Sequence, residues 1–330
     1  MCHVNTAIEA RRLADLLKML RTRRPMGSPT ETRFRLEWIW SLDREVWQDD
    51  ADNLHVVVPR TDGTRSRVLW SCHTDTVHRE DGKQIVHLGP RHITLGDNTR
   101  PTNCLGADDT VGVWLCREMI LAGVPGHYVF HYGEERGGIG SGTIAAMAPE
   151  LYEGLDFAIA LDRGGKRDVI THQAGSRGCS DLFARSLAKQ LRSAGKYRPC
   201  TTGIYTDTAE YADIIPECTN ISVGYERQHS PHEFVDYWHA LRLCETLTGF
   251  DETTLVVSRQ AGDYESTWPM RGYGLPIGDG PPSREEFRDA PSWSQRPLND
   301  DGFPPWNDEW DDYYWRKSIQ DVMDEQRRLD

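Results

Sequence analysis

A three-layer α/β/α sandwich built on a mixed, mostly parallel central sheet is the fold class this sequence predicts, from three observations. Short apolar runs (NLHVVVP, RVLWSCH, HYVFHYG, DFAIALDR) alternate with stretches of helical spacing, the order that stacks helices on both faces of one sheet. Several of these runs stop at a polar or acidic residue, as strands do when their ends face a crevice. At 330 residues the chain can bury a full core, as one large domain or two smaller ones.

The first element is an amphipathic helix. AIEARRLADLLKMLRTRR sets Ile8, Leu13, Leu16, Leu17 and Leu20 at near-helical spacing with Arg and Lys between them. Pro25, Gly27 and Pro29 break it, and Ser28 or Thr30 then caps a second helix carrying Phe34, Leu36, Trp38, Ile39 and Leu42. NLHVVVP and RVLWSCH, separated by a polar turn, are expected to form a strand pair, the second ending in His73, Thr74 and Asp75. From Val77 to Pro101 the chain is turn-rich, and IVHL and HITL suit a small hairpin. CLGADDTVGVWLCREMILAG is a loop feeding a helix, with Asp108 and Asp109 where carboxylates accept hydrogen bonds from free backbone N–H groups. The strand HYVFHYG follows, then SGTIAAMAPELY as a helix, DFAIALDR as a strand ending near Asp162, and GCSDLFARSLAKQLRSAG as a helix. TNISVGYE reads as the last core strand, and RQHSPHEFVDYWHALRLCETLTGF as a loop and final helix.

Chemistry concentrates at HYVFHYGEERGGIGS, where a strand stops at Glu134 and Glu135 and runs into glycines. Neighbouring side chains at a strand's end point to opposite sides, so one loop can aim one carboxylate at a metal and the other at a water beside it. His73, Asp108, the Glu134–Glu135 pair and Asp162 each lie just past an apolar strand or in a loop feeding a helix, and His229 follows a strand after a short loop. One imidazole, three carboxyl clusters and a second imidazole form a donor set suited to zinc, and manganese or cobalt would accept it as well. Shared symmetrically, the set would hold two ions with one aspartate bridging. GEERGGIGSG does not fit a phosphate cradle, because no GxxxxGK[ST] pattern occurs.

Composition excludes other classes. A net charge of -13 argues against a nucleic-acid groove, which needs Lys and Arg to neutralise phosphates. No run of about 18 apolar residues occurs, so no membrane partner is expected. The start lacks a basic-then-apolar leader, and the eight cysteines show no CxxC pair, so a cytoplasmic, reducing setting is expected. Residues 1–256 are read as one catalytic domain with a small insertion near 78–101. Residues 251–330 carry 18 acidic against 9 basic residues, with eight of the 18 prolines and five of the 11 tryptophans. Residues 257–330 therefore read as an acidic, partly disordered tail, available for self-association or a protein partner. Trp315, Ile319, Val322 and Met323 predict an amphipathic helix over about 308–328 at its end.

HTD at 73–75, LGADD at 105–109, GEERGGIGS at 133–141, ALDRGG at 160–165 and HSPHE at 229–233 resemble, in order, the motifs of the two-zinc exopeptidases. That superfamily includes leucyl-type and glutamyl aminopeptidases, tripeptidases and glutamate-carboxypeptidase-like enzymes. The resemblance spans residues 8–250 and implies a phosphorylase/hydrolase-like sandwich holding two divalent ions. It implies that His73 and Asp162 hold one ion, that Glu135 and His229 hold the other, and that Asp108 bridges them. Glu134 would be the general base, Asp75 would orient His73 from behind, and Asp109 would cap the following helix. Many carboxypeptidase-like relatives insert a domain between the last aspartate and the final histidine, but here Asp162 to His229 is only 67 positions. The glutamyl type inserts one between the first histidine and the bridging aspartate, but His73 to Asp108 is only 35. No inserted lid domain is expected, and the architecture resembles the leucyl type, although TDT at 206–208 and HSPHE are more similar to the glutamyl type.

The substrate expected from this resemblance is a peptide or an N-acyl amino acid. An aminopeptidase needs an acid for the free ammonium, with Asp207 the candidate. A carboxypeptidase, dipeptidase or deacylase needs a cation for a carboxylate, with Arg177 the candidate. Aminopeptidase is the preferred reading. A non-catalytic protein on a peptidase scaffold, or a module acting chiefly through its tail, is the alternative of another class.

Overall fold

The computed structural model describes residues 7–97 and 102–263. The helix expected over 308–328 lies outside the described residues, as does 257–330 beyond Asp263. The central sheet has eight strands: β1 (Val46–Gln48), β2 (Leu54–Val58), β3 (Val68–His73), β6 (Gly126–His131), β7 (Phe157–Arg163), β8 (Asp168–Ile170), β9 (Arg198–Cys200) and β10 (Glu217–Ser222). Their order is β9-β8-β10-β7-β3-β6-β2-β1. The four inner strands β10, β7, β3 and β6 run parallel, and antiparallel pairs flank them. A second sheet of four short strands joins the hairpin β4 (Val86–Leu88) and β5 (His92–Leu95) to β11 (Tyr225–Glu226) and β12 (Phe234–Asp236).

Alternation along the inner strands separates the two faces. Val68, Trp70 and Cys72 of β3, Tyr128 and Phe130 of β6, and Phe157, Ile159 and Leu161 of β7 enter one apolar cluster, while Leu69, Val129 and Ala158 enter the other. The first face is covered by α1 (Ala7–Leu20), α3 (Ala107–Ala122), α5 (Asp181–Gln190) and α6 (Tyr237–Leu247), which contribute Leu16, Trp114, Phe183 and Leu243. The second is covered by α4 (Ile139–Met147) and by short turns bearing Tyr152 and Tyr211. The expected sandwich is therefore present, with one outer layer thinner than the other. Ser28, not Thr30, caps α2 (Pro29–Arg35), its hydroxyl accepting the Glu31 N–H at 3.1 Å.

The expected pairing of NLHVVVP with RVLWSCH does not occur. β6 lies between the two, with Leu54 opposite Phe130 on one side and His73 opposite His131 on the other. All six residues of β3 are buried, so it needs a strand on each flank, and the crossover through α3 returns β6 beside it. Among the described residues, no helix is long and apolar enough to cross a membrane.

Candidate metal centre at the strand ends

The three adjacent parallel strands β7, β3 and β6 end together, and parallel neighbours lie only about 4.8 Å apart. This brings His73, the loop holding Glu134 and Glu135, and Asp162 to one rim. Asp108 enters from the start of α3 and His229 from the loop after β11. His73 Nε2 lies 3.1 Å from Asp108 Oδ1, 3.6 Å from Asp162 Oδ1 and 3.8 Å from Glu134 Oε2. His229 Nε2 lies 3.0 Å from Glu135 Oε1 and 3.2 Å from Asp108 Oδ2. Two groups result, His73–Asp108–Asp162 and Asp108–Glu135–His229, each with its donor atoms within 4.8 Å of one another. Asp108 belongs to both, turning one carboxylate oxygen toward each imidazole.

The side chains behind this rim explain its shape. Asp75 sits behind His73, its main-chain carbonyl 3.1 Å and its carboxylate 3.4 Å from Nδ1, which leaves Nε2 facing the cluster. Its carboxylate also accepts the N–H groups of Glu134 (3.2 Å) and Glu135 (3.3 Å), so one residue orients both the imidazole and the acidic loop. Asp109 does not face the cluster. It accepts the Gly112 N–H at 2.9 Å as a helix cap and the His73 N–H at 3.3 Å. Asp162 accepts hydroxyl protons from Tyr225 (3.0 Å) and Thr206 (2.8 Å), and Asn220 clamps its main chain on both sides.

Charge is unbalanced here. Burial works against a charged His73, yet its hydrogen bonds to Asp108, Asp162 and Asp75 carry its pKa well above the usual range. Burial works the same way on His229, and Asp108 and Glu135 push it up to about 11. Burial would raise Asp108, but the two histidines hold it well below the usual carboxylate range. Burial, then the Asp108 charge, pushes Glu135 up to about 7 and Asp162 up to about 6. Burial also raises Glu134 strongly, with His73 opposing and Asp162, Asp207 and Glu135 adding to it. Crowded oxygen donors with two imidazoles favour added positive charge, and nitrogen and oxygen ligands in this mixture suit divalent cations.

Asp207 lies buried close to this cluster, with the Ser141 hydroxyl as a hydrogen-bond partner and no cation paired with its carboxylate among the described residues. Burial raises its pKa well above the usual range, against the pull of His73. Arg177 is held near the start of α5, donating to Cys179 O and pairing with Asp181, both at 3.3 Å. Sequence reasoning did not single out Tyr225, Thr206, Glu31 or Glu233. Glu31 accepts the Thr74 hydroxyl at 2.7 Å, bracing the His73–Asp75 turn from below. Of these, Thr206 and Glu233 carried a signal, the first in TDT at 206–208 and the second as the last residue of HSPHE.

No protein-family model matches the sequence, and no curated protein does. Solved structures do match. Aminopeptidase PepT from Bacillus cereus superposes with a TM-score of 0.59 at 14% identity, covering 73% of this chain and 97% of its own. A tripeptidase from Staphylococcus aureus gives 0.60 at 15%, covering 73% and 97%. An aminopeptidase from the archaeon Desulfurococcus kamchatkensis gives 0.54 at 15%, covering 77% and 96%. The chain has the α/β fold of these peptidases, the fold that its motif resemblance implied.

Proposed function

We propose that this protein is a co-catalytic di-metal exopeptidase, an aminopeptidase that hydrolyses the peptide bond next to a free amino end. The observation that carries the reading is the meeting of five distant donors in two groups that share Asp108. His73 and Asp162 would hold one divalent cation, Glu135 and His229 the other, and Asp108 both. Zinc is the expected ion, with manganese or cobalt as alternatives. Bound there, such ions would polarise the scissile carbonyl and acidify a water.

The chain's own residues do the rest. Glu134, next to Glu135 and 3.8 Å from His73, takes the proton of the attacking water and delivers it to the leaving nitrogen as the carbon–nitrogen bond breaks. Asp75 holds the Glu134 and Glu135 main chain in place through this cycle. Asp207 receives the substrate's ammonium: a buried carboxylate with no cation paired to it is costly, and a cation arriving beside it offsets that cost. Arg177, already engaged with Asp181, would have to serve the alternative reading, a carboxypeptidase, dipeptidase or N-acyl amino acid deacylase. That two of the matched structures are aminopeptidases favours the first.

A cytoplasmic setting belongs to this reading, supported by the seven described cysteines, all of them free thiols. Self-association is expected too, since the TET1 peptidase of Pyrococcus horikoshii, with the same fold, assembles into a tetrahedron or an octahedral shell. A panel of aminoacyl anilides and N-acyl amino acids tests the activity. Release of the anilide only from substrates with a free amino end is expected, and cleavage of the acylated set alone would reverse the assignment. Absence of turnover on both sets, with metal bound, would favour a non-catalytic binding protein.

A further inference from the structure

Glu233 does not touch the centre, yet it joins two of the loops that build it. It is 1% exposed, and no cation among the described residues pairs with it. One carboxylate oxygen accepts the N–H groups of Leu105 and Gly106, both at 2.8 Å, and the other accepts the N–H of Asp108 at 3.1 Å. A single side chain from the His229 loop thus gathers three main-chain donors of the Asp108 loop. Three such bonds go far to offset the cost of burying an acid.

The two groups of donors are not equally supported. His73 ends a strand paired on both sides, and Asp162 belongs to a strand and is held by Tyr225, Thr206 and Asn220. His229 sits in a loop, its side chain 37% exposed, with φ of +60° at both Arg227 and His229. Left-handed backbone is strained at non-glycine residues, so contacts around this loop must hold its path. At its near end the Ser230 hydroxyl donates to Arg227 O, and at its far end the Glu233 N–H donates to Ser230 O. The Glu233 carboxylate then spans to the Asp108 loop. Gly106 adds a constraint, because its φ is +70° and a Cβ there would meet His78 Cε1 at 2.6 Å.

We infer that Glu233 is a positioning residue that fixes the separation of Asp108 from His229, and so selectively sets the affinity of the second cation position. This rests on the di-metal reading above. Glu233→Gln keeps the shape but turns an amide N–H2 toward at least one backbone N–H, so that contact becomes donor against donor. Partners behind a ligand commonly control about 10- to 100-fold in metal affinity, and here the effect falls on Asp108–Glu135–His229. The other position keeps His73 and Asp162 on their strands, so it loses less.

The test is a Co2+ titration of the metal-depleted full-length protein, followed by visible absorption, on wild type, Glu233→Gln and Glu233→Asp. Two equivalents are expected for wild type. In Glu233→Gln the second should weaken by about 10- to 100-fold while the first loses less. Glu233→Asp keeps the charge one methylene short, so it should lose less, and it carries the test alone if the Gln variant does not fold. Equal weakening of both equivalents, or an unchanged second equivalent in a folded variant, would overturn the inference. Fewer than two equivalents in wild type would instead defeat the di-metal reading and leave the hydrogen-bonded clamp as a fold element.

Discussion

Changing Glu134 to Gln and, separately, Glu135 to Gln perturbs two neighbours whose expected roles differ completely. Both keep their main-chain N–H bonds to Asp75, so neither change loosens the loop. Glu135 lies 3.0 Å from His229 within a donor group, whereas the Glu134 carboxylate belongs to neither group and lies 3.8 Å from His73. Loss of a proton carrier costs about 10²- to 10⁴-fold in rate, or about 3–5 kcal/mol of transition-state free energy. Glu134→Gln should therefore keep both metals and lose turnover in that range. Glu135→Gln should lose one metal per chain, because a charged donor is removed from one group only. The assay pairs kcat on an aminoacyl anilide with elemental analysis of the same preparation. A fully active Glu134→Gln, or one that loses metal while Glu135→Gln retains it, would refute the assignment.

Three further outcomes are expected. Chelation should lower both activity and Tm, and restoring the ion should return them, since a ligand at 100 times its Kd adds about 2.7 kcal/mol; a Tm indifferent to chelator would count against bound cations. Gly112→Ala places a Cβ 2.4 Å from both Asp109 carboxylate oxygens and from the Leu161 carbonyl, so the urea midpoint should fall by the equivalent of about 1–3 kcal/mol, and an unchanged midpoint would deny this close approach of α3 to β7. His239, buried and 2.9 Å from the Tyr197 hydroxyl, has its pKa lowered from 6.5 to about 4 by burial. The unfolded chain then binds the extra proton first, so the contribution of this group is present above pH 6.5 and is lost as pH falls toward 4. Between pH 7 and 5 this amounts to about 2 kcal/mol, and His239→Gln should shrink the pH dependence of the urea midpoint by that much; an identical dependence would contradict it.

Much of the site was legible because its residues sit at the ends of apolar runs. His73 and Asp162 are marked by where a strand stops, and Asp109 by its place at a helix start, where it caps as expected. Residues that act from behind left weaker marks. Nothing near Glu31 says that it braces Thr74, forty-three positions away, and nothing near Tyr225 says that its hydroxyl reaches Asp162. Such contacts depend on strand order, which local pattern does not encode. The same gap explains the misread pairing of β2 with β3, where two runs adjacent in sequence are parted by a third that returns through a helix.

The short strand β9 closes one side of the sheet. Arg198 takes a bond from its N–H to Arg167 O, and Cys200 O accepts the Thr171 N–H, so both turn their polar groups inward toward β8. Alternation leaves Pro199 as the residue whose nitrogen points out, and proline has no hydrogen there to offer. A foreign strand arriving at that margin finds no donor to zip onto. Contact between this chain and another protein at this margin would therefore run through side-chain surfaces and not by lengthening the sheet from this side.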